Sequence, residues 1–480
     1  MTDPVPVPLP ARSVRGTVWA LANRFGVVAR TPGELVGALT GLGPTGAAVV
    51  TRPPGAGVPA EVAELVGALR DLGHIRLVTA PGREPGSGGE AACVPAPEAA
   101  SAPSGAGAAA LPDGPGPAAP ARPPDLDDPA AVCAADPAAV TAAYECGTGG
   151  AHGSGRADGD ADGHGSGDGH GSGGADGHGG LRAAWYRAGQ SLIREQPPSG
   201  RALVLLTALG DDADPRLRPA LGALAANAPW RSDWTRVRGD VSPPWPGPVA
   251  ALAQGTGTWA EHLLVADQRG AIRSVHPADA TPAPGTATLP VRITALAPRP
   301  DGGLLMLDER GRLHTHGEST LTDAVAATLD AHPGTALAAT GTLVLAGDRH
   351  GSLHAFGHGG LHQTAAHRGR VTAVAVADGP APLVCSGGAD GTVRIWTPGR
   401  GPETTPLAER GFPVTALAVH GRTLAVAWAD GLVELRRFGT HKTLALRPGP
   451  PVRAVAVTRD GSVVVGTDDS LFRVTARSPR

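Results

Sequence analysis

Lysine is almost absent from this chain. Lys442 is the only one in 480 residues, and every other basic side chain is arginine. Gly (70) and Pro (48) are in excess, and aromatic residues are only 3% of the total. An Ala/Gly/Pro/Arg-rich, Lys-poor usage is what a GC-rich genome encodes, so the arginines are not by themselves a nucleic-acid signal. Charge of one sign is lacking too. The formal net charge is −3, and neither half of the chain clusters basic residues. That excludes a phosphate-tracking surface, and no nucleic-acid partner is expected. The four cysteines, Cys93, Cys133, Cys146 and Cys385, are scattered and form no CxxC pair. This argues against a disulfide framework and a zinc site, and fits a reducing compartment. No apolar run approaches the ~18–20 residues that span a bilayer, and residues 1–16 lack the basic and apolar regions of a signal peptide. The chain reads as soluble and cytoplasmic, with no membrane partner. There is no Gly-x-Ser-x-Gly elbow and no HExxH. The glycine-rich stretch 41–46 (GLGPTG) lacks the Lys-Ser/Thr of a phosphate loop. No cofactor is expected.

What is present divides the chain. Residues 1–13 alternate proline with apolar residues and read as a disordered tail. Residues 14–80 read as a small α/β unit. Its elements are a strand at 14–20, a helix capped by Thr31 with Pro32 in its first turn, a strand at 47–51, a helix at 59–72 and a strand at 74–79. Residues 81–124 are a Pro/Ala/Gly-rich linker. Residues 125–230 read as a helical domain, with caps at Asp128-Pro129 and Asp136-Pro137. A disordered Gly/His/Asp insert at 147–180 interrupts it, which costs little because closure entropy grows only logarithmically with length.

From about residue 241 the texture changes. Six alternating segments recur about every 40 residues: PVAALA (248–253), VRITALA (291–297), TALAAT (335–340), VTAVAVA (371–377), VTALAVH (414–420) and VRAVAVT (452–458). Each is followed by a second apolar run, a polar turn and a third run. Five turns pair an aspartate with a glycine: Asp267/Gly270, Asp308/Gly311, Asp348/Gly351, Asp390/Gly391 and Asp430/Gly431. Tight hairpins need positive-φ positions and a side chain that bonds its own backbone, which these residues supply. The sixth turn carries Asp468-Asp469-Ser470.

The fourth unit, SGGADGTVRIWT (386–397), resembles the strand–turn–strand signature of WD40 repeats, and the six-fold recurrence extends the resemblance over the C-terminal half. The resemblance implies an all-β propeller over residues 231–480, of a bacterial type with an unassigned N-terminal region. Six blades are expected, or seven if a degenerate blade lies upstream. Residues 234–241 (WTRVRGDV) are the candidate strand that closes the ring on the last unit and so removes exposed edges. The resemblance also implies that His367, Ser386, Asp390 and Trp396 form a buried structural hydrogen-bond set, not a hydrolase triad. The usual Trp-Asp ending is Trp396-Thr397 here, and the usual Gly-His is Ala366-His367.

Two histidine groups invite a metal reading. In the insert, Asp158, Asp160, Asp162, Gly163 and Asp168 resemble the start of a calcium loop, but position 12 is Gly169. The tract reads as low-complexity sequence, with His152, His164, His170 and His178 as candidates for loose metal binding only. His350, His354, His358 and His362 recur every four residues in a predicted turn and strand, where they read as solvated positions. The function implied is a non-catalytic interaction scaffold that binds a protein or peptide on the propeller face. Trp245, Arg292, Arg370, Phe412 and Arg453, just before the first strands, are the candidate contacts, because aromatic and Arg side chains dominate binding hot spots. The rival is a ligand-sensing or signalling enzyme whose 14–80 unit binds a small molecule and whose propeller recruits the target.

Overall fold

The computed structural model of the chain describes residues 13–41, 48–51, 60–73, 76–79, 124–146, 177–237 and 249–477, apart from 318–319, 358, 378–381, 398–399 and 441. The calls on the tail, the linker, Trp245, His152, His164, His170 and His358 lie outside these residues.

The first described segment is a helix and not the expected strand. In α1 (Val14–Phe25) the Ser13 hydroxyl accepts the Gly16 N–H at 3.0 Å, and Gly26 at φ 65° closes the C-terminus. Val18, Trp19, Leu21 and Ala22 are buried. Helical spacing of apolar contacts overrides the strand preference of Val14, Thr17 and Val18. α2 (Pro32–Thr40) starts as the sequence suggests, with the Thr31 side chain accepting from Glu34 N–H at 3.2 Å. α3 (Ala60–Asp71) buries Val62, Leu65 and Leu69. The short strands Ala48–Thr51 and Arg76–Thr79 pair in parallel. The region before the propeller is therefore helical with little strand. α4 (Pro129–Ala134) and α5 (Pro137–Cys146) are capped by Asp128 and Asp136. α6 (Leu181–Leu192), α7 (Pro198–Leu206) and α8 (Leu217–Leu224) complete the helices of this region. Trp19 of α1 packs where Gly189 of α6 has no side chain, and the two helices share one core with α2–α5, α7 and α8.

Residues 230–477 form a six-bladed β-propeller. Blade 1 spans four strands from Val249–Gln254 to Pro282–Thr288. Blade 2 has three strands, Ile293–Pro298, Leu304–Asp308 and Leu313–His316. Helix α9 (Thr320–Ala331) follows them where the other blades carry an outer strand, and buries Val325 and Leu329 between blades 2 and 3. Blade 3 runs from Gly334–Ala339 to Gly360–Ala365. Blade 4 starts with Val371–Ala377, blade 5 with Val414–His420 and blade 6 with Val452–Val457. Blade 6 takes its outer strand from before the ring: Trp230–Val237 pairs antiparallel with Ser470–Ala476, with Thr235 opposite Phe472. The closing strand was expected, but it starts four residues earlier than the sequence reading placed it.

The six inner strands converge on the axis. At one register position they present Leu252, Leu296, Leu337, Val374, Leu417 and Val455, one aliphatic side chain per blade. This ring lines both axial cavities, of about 100 Å³ and about 510 Å³. Neighbouring blades approach closely where a second strand carries glycine. A Cβ on Gly387 would lie 2.5 Å from Cγ1 of Val414 on the next blade. Gly387→Ala is therefore expected to overpack the seam and cost about 1–3 kcal/mol, measurable by urea denaturation.

Candidate interaction face of the propeller

The turns between second and third strands build one face of the ring. All five paired glycines adopt positive φ: Gly270 (87°), Gly311 (80°), Gly351 (96°), Gly391 (75°) and Gly431 (80°). The partnering aspartates organise the backbone. Oδ1 of Asp308 accepts the N–H groups of Arg310 and Arg312, each at 2.9 Å. Oδ1 of Asp348 accepts those of His350 and Ser352. The second carboxylate oxygen then takes a side chain: His314 at 2.9 Å from Asp308, and His354 at 3.0 Å from Asp348. Burial works against both carboxylates, but these bonds outweigh it and hold them below the usual range. His354 is thus buried and bonded, whereas the four-residue histidine spacing suggested a solvated position. His350 and His362 are exposed.

In blade 4 the His367 ring lies between three polar groups. Nδ1 is 3.1 Å from Asp390 Oδ1 and 3.0 Å from the Thr392 hydroxyl, and Nε2 is 2.8 Å from the Ser386 hydroxyl. Burial lowers the His367 pKa and outweighs the raising effect of Asp390. The order Ser–His–Asp is that of a hydrolase triad. However, the His367 side chain has no exposed surface and Ser386 is 1% exposed, so no substrate reaches the hydroxyl. Trp396 is buried at the end of the same hairpin, and its indole N–H finds no acceptor among the described residues. Thr392, absent from the sequence-based set, takes part instead. It is Asp390's second neighbour in the turn, and the motif alone does not single it out.

The candidate face residues divide into two groups. Arg292 and Arg370 are exposed, and each sits immediately before the inner strand of its blade. Their carbonyls accept Glu309 and Ala389 N–H from the adjacent turn. Neither guanidinium has an ion-pair partner among the described residues. Arg453 is exposed and paired with Asp468 at 2.7 Å. Phe412 is half-buried, with its ring against Gly26 at the end of α1.

This last contact belongs to a continuous seam that the sequence does not reveal. Val28 lies at the Gly431 turn, Arg30 pairs with Asp469, and Gly449 lies against Ala188 of α6. The Ser191 hydroxyl donates to the Arg447 carbonyl at 2.6 Å. The helical region thus covers the face at blades 5 and 6. His178, the described member of the candidate metal set, bonds Asp127 at 2.9 Å and packs edge-on to Tyr144. Among the described residues no three His, Cys, Asp or Glu side chains gather as a metal group. Burial pushes the thiols of Cys133 and Cys385 up to about 12, so neither is a nucleophile at neutral pH. No helix among the described residues is long and apolar enough to cross a membrane.

Residues 360–397 match the family model described as WD domain, G-beta repeat. No curated protein matches the chain. Similar solved structures include the computationally designed Ika8 protein, at 22% identity over 48% of this chain and 71% of that one, with a TM-score of 0.32. Another is U3-55K, at 11% identity over 50% of this chain and 98% of that one, with a TM-score of 0.34. The matched residues contain the hairpin of blade 4 with its His367–Asp390 network. The fourth blade is therefore a WD40 repeat, and the C-terminal half of the chain is a six-bladed β-propeller built around it.

Proposed function

We propose that this protein is a non-catalytic, cytoplasmic scaffold whose propeller face binds a protein or peptide through blades 2 to 4. Propellers of WD40 repeats are commonly interaction platforms and are usually not enzymes, which is the coarse part of this reading. The observation that carries the finer part is the pair Arg292 and Arg370. Both are exposed, unpaired among the described residues, and placed at the same position before the inner strand of their blades. Long, uncommitted guanidiniums on a rigid ring suit a partner segment bearing carboxylates. The covering of blades 5 and 6 by the helical region directs a partner toward the remaining blades. Burial of Ser386 and His367 supports a structural role for that set.

The test is affinity capture from the native host with quantitative mass spectrometry, comparing wild type with Arg292→Glu/Arg370→Glu. Neither side chain has a hydrogen bond or ion pair among the described residues, so circular dichroism is expected to stay unchanged. Proteins retained by wild type and depleted at least about tenfold by the variant, as loss of two charge-assisted contacts predicts, support the face. Equal recovery by both forms rejects it.

A further inference from the structure

The arginines of the propeller face fall into two populations. On blades 5 and 6 they are committed: Arg410 and Arg447 bind Asp430, and Arg453 binds Asp468. Over blades 1 to 4 they are not. Arg269 lies in the turn of blade 1, Arg310 and Arg312 in that of blade 2, and Arg349 in that of blade 3. Arg292 precedes the inner strand of blade 2, and Arg368 and Arg370 precede that of blade 4. All of these arginines are exposed, and none has an ion-pair partner among the described residues.

They lack partners because the carboxylates of the same turns face inward. Oδ1 of Asp267 accepts the N–H groups of Arg269 and Ala271 at 2.7 and 3.0 Å. Asp308 and Asp348 hold their own turns in the same way, and Asp390 accepts the Arg368 N–H at 2.9 Å. Each acid satisfies the backbone and leaves the neighbouring guanidinium in water. Glu309 is the one exposed acid in these turns and the loops beside them, and Asp330 stands in the last turn of α9, before the loop to blade 3.

The turns and loops interlock, so the arginines form one arc. Leu289 N–H bonds the Gly270 carbonyl at 3.0 Å, which joins the blade-1 turn to the loop that carries Arg292. The Arg292 carbonyl accepts Glu309 N–H at 3.0 Å, and Gly334 N–H bonds the Gly311 carbonyl at 2.9 Å. Gly334 pairs with Asp348 at the blade-3 turn. His367 N–H then bonds the Gly351 carbonyl at 3.0 Å, which sets Arg368 and Arg370 beside the turn of Arg349. A bonded framework therefore carries a positively charged strip around the ring. No Phe, Tyr or Trp lies in these turns and loops, so nothing there stacks the bases of a single-stranded nucleic acid. A succession of carboxylates suits the strip, because each can take a guanidinium fork through two hydrogen bonds.

We infer that Arg269, Arg310, Arg312, Arg349 and Arg368 extend the Arg292/Arg370 face into a docking strip for an extended peptide segment rich in Asp and Glu. The inference rests on the reading of this face as a protein-binding surface; it adds blade 1 to that surface and names the chemistry of the partner.

The experiment is fluorescence anisotropy of the full chain with a labelled peptide of alternating Glu and Gly, about twelve residues long so that it reaches across several blades. A peptide with Gln in place of Glu, and an oligouridylate, are titrated in parallel. Wild type is expected to bind the Glu peptide saturably, at least about tenfold more tightly than the Gln peptide, and less tightly as sodium chloride is raised. Arg269→Gln/Arg310→Gln/Arg349→Gln leaves Arg292 and Arg370 in place and is expected to weaken binding at least about tenfold. Arg24→Gln/Arg400→Gln/Arg437→Gln makes the same change in net charge at exposed positions off the arc, and is expected to bind as wild type does. Equal binding of the Glu and Gln peptides overturns the inference, as does an equal loss in the two variants, which would mean attraction to net charge alone. Tighter binding of the oligouridylate than of the Glu peptide overturns it in favour of a nucleic acid. Charge-independent peptide binding, alongside host capture that still depends on Arg292 and Arg370, overturns the acidic partner and leaves the face standing.

Discussion

Trp230→Ala is expected to cost about 3–5 kcal/mol and to weaken helices and propeller together. Trp230 is fully buried at the start of the closing strand, opposite Ala476 of the last blade. Its indole N–H donates to the Ala445 carbonyl of blade 5 at 3.0 Å. Its ring belongs to one apolar cluster that contains Trp19 and Trp185 of the helical region and Val455 and Phe472 of blade 6. Removing it opens a cavity where the ring closes and where the two regions meet. The measurement is guanidinium unfolding followed in parallel by far-UV and near-UV circular dichroism. Shared packing predicts coincident transitions in wild type, shifted together in the variant. A variant in which only one region loses stability would mean that the seam carries little energy.

Asp430→Ala is expected to destabilise by about 3–5 kcal/mol, because it leaves Arg410 and Arg447 without the buried carboxylate that both of them bind. The wild-type carboxylate also sets a pH dependence. Burial raises the Asp430 pKa, but the bonds from Arg410 and Arg447 and their charges more than reverse this, so its folded value lies below the ordinary 3.8. A depressed carboxylate stabilises the fold in full above its unfolded value and loses that contribution as pH falls through the folded value. Below about pH 4 the wild-type Tm should therefore drop toward that of Asp430→Ala, with the two curves furthest apart near neutrality. A gap between the two proteins that stays constant from pH 7 to pH 3 would show that packing, and not charge, accounts for the loss.

The propeller was legible because its signals are local. Inner strands alternate at a period of two, and five of the six hairpins carry an aspartate and a glycine where the backbone turns with positive φ. A closing strand from before the ring was also legible, but at 234–241 and not from its start at Trp230. Helix α1 was misread because Val14, Thr17 and Val18 favour strands in isolation, and only packing of Trp19 against Gly189 makes the helix the better solution. Helix α9 was passed over inside the repeat, although Leu321, Val325 and Leu329 at four-residue spacing mark one apolar stripe. His354 looked solvated because the partner that buries it, Asp348, lies across a turn. The seam itself was not legible. Ser191 and Arg447 are 256 residues apart, and no local pattern links them. Phe412 likewise gave no sign that the end of α1 would cover it.

Site-specific photo-crosslinking tests the account most directly. A photoreactive residue is placed singly at Arg292, at Arg370, and at Gln363 on the exposed outer strand of blade 3. Each form is irradiated in the native host, and adducts are identified by mass spectrometry. The account predicts the same protein partner crosslinked at positions 292 and 370 and not at 363. A partner captured at 363 while 292 and 370 stay free would contradict the claim that this face is the working surface.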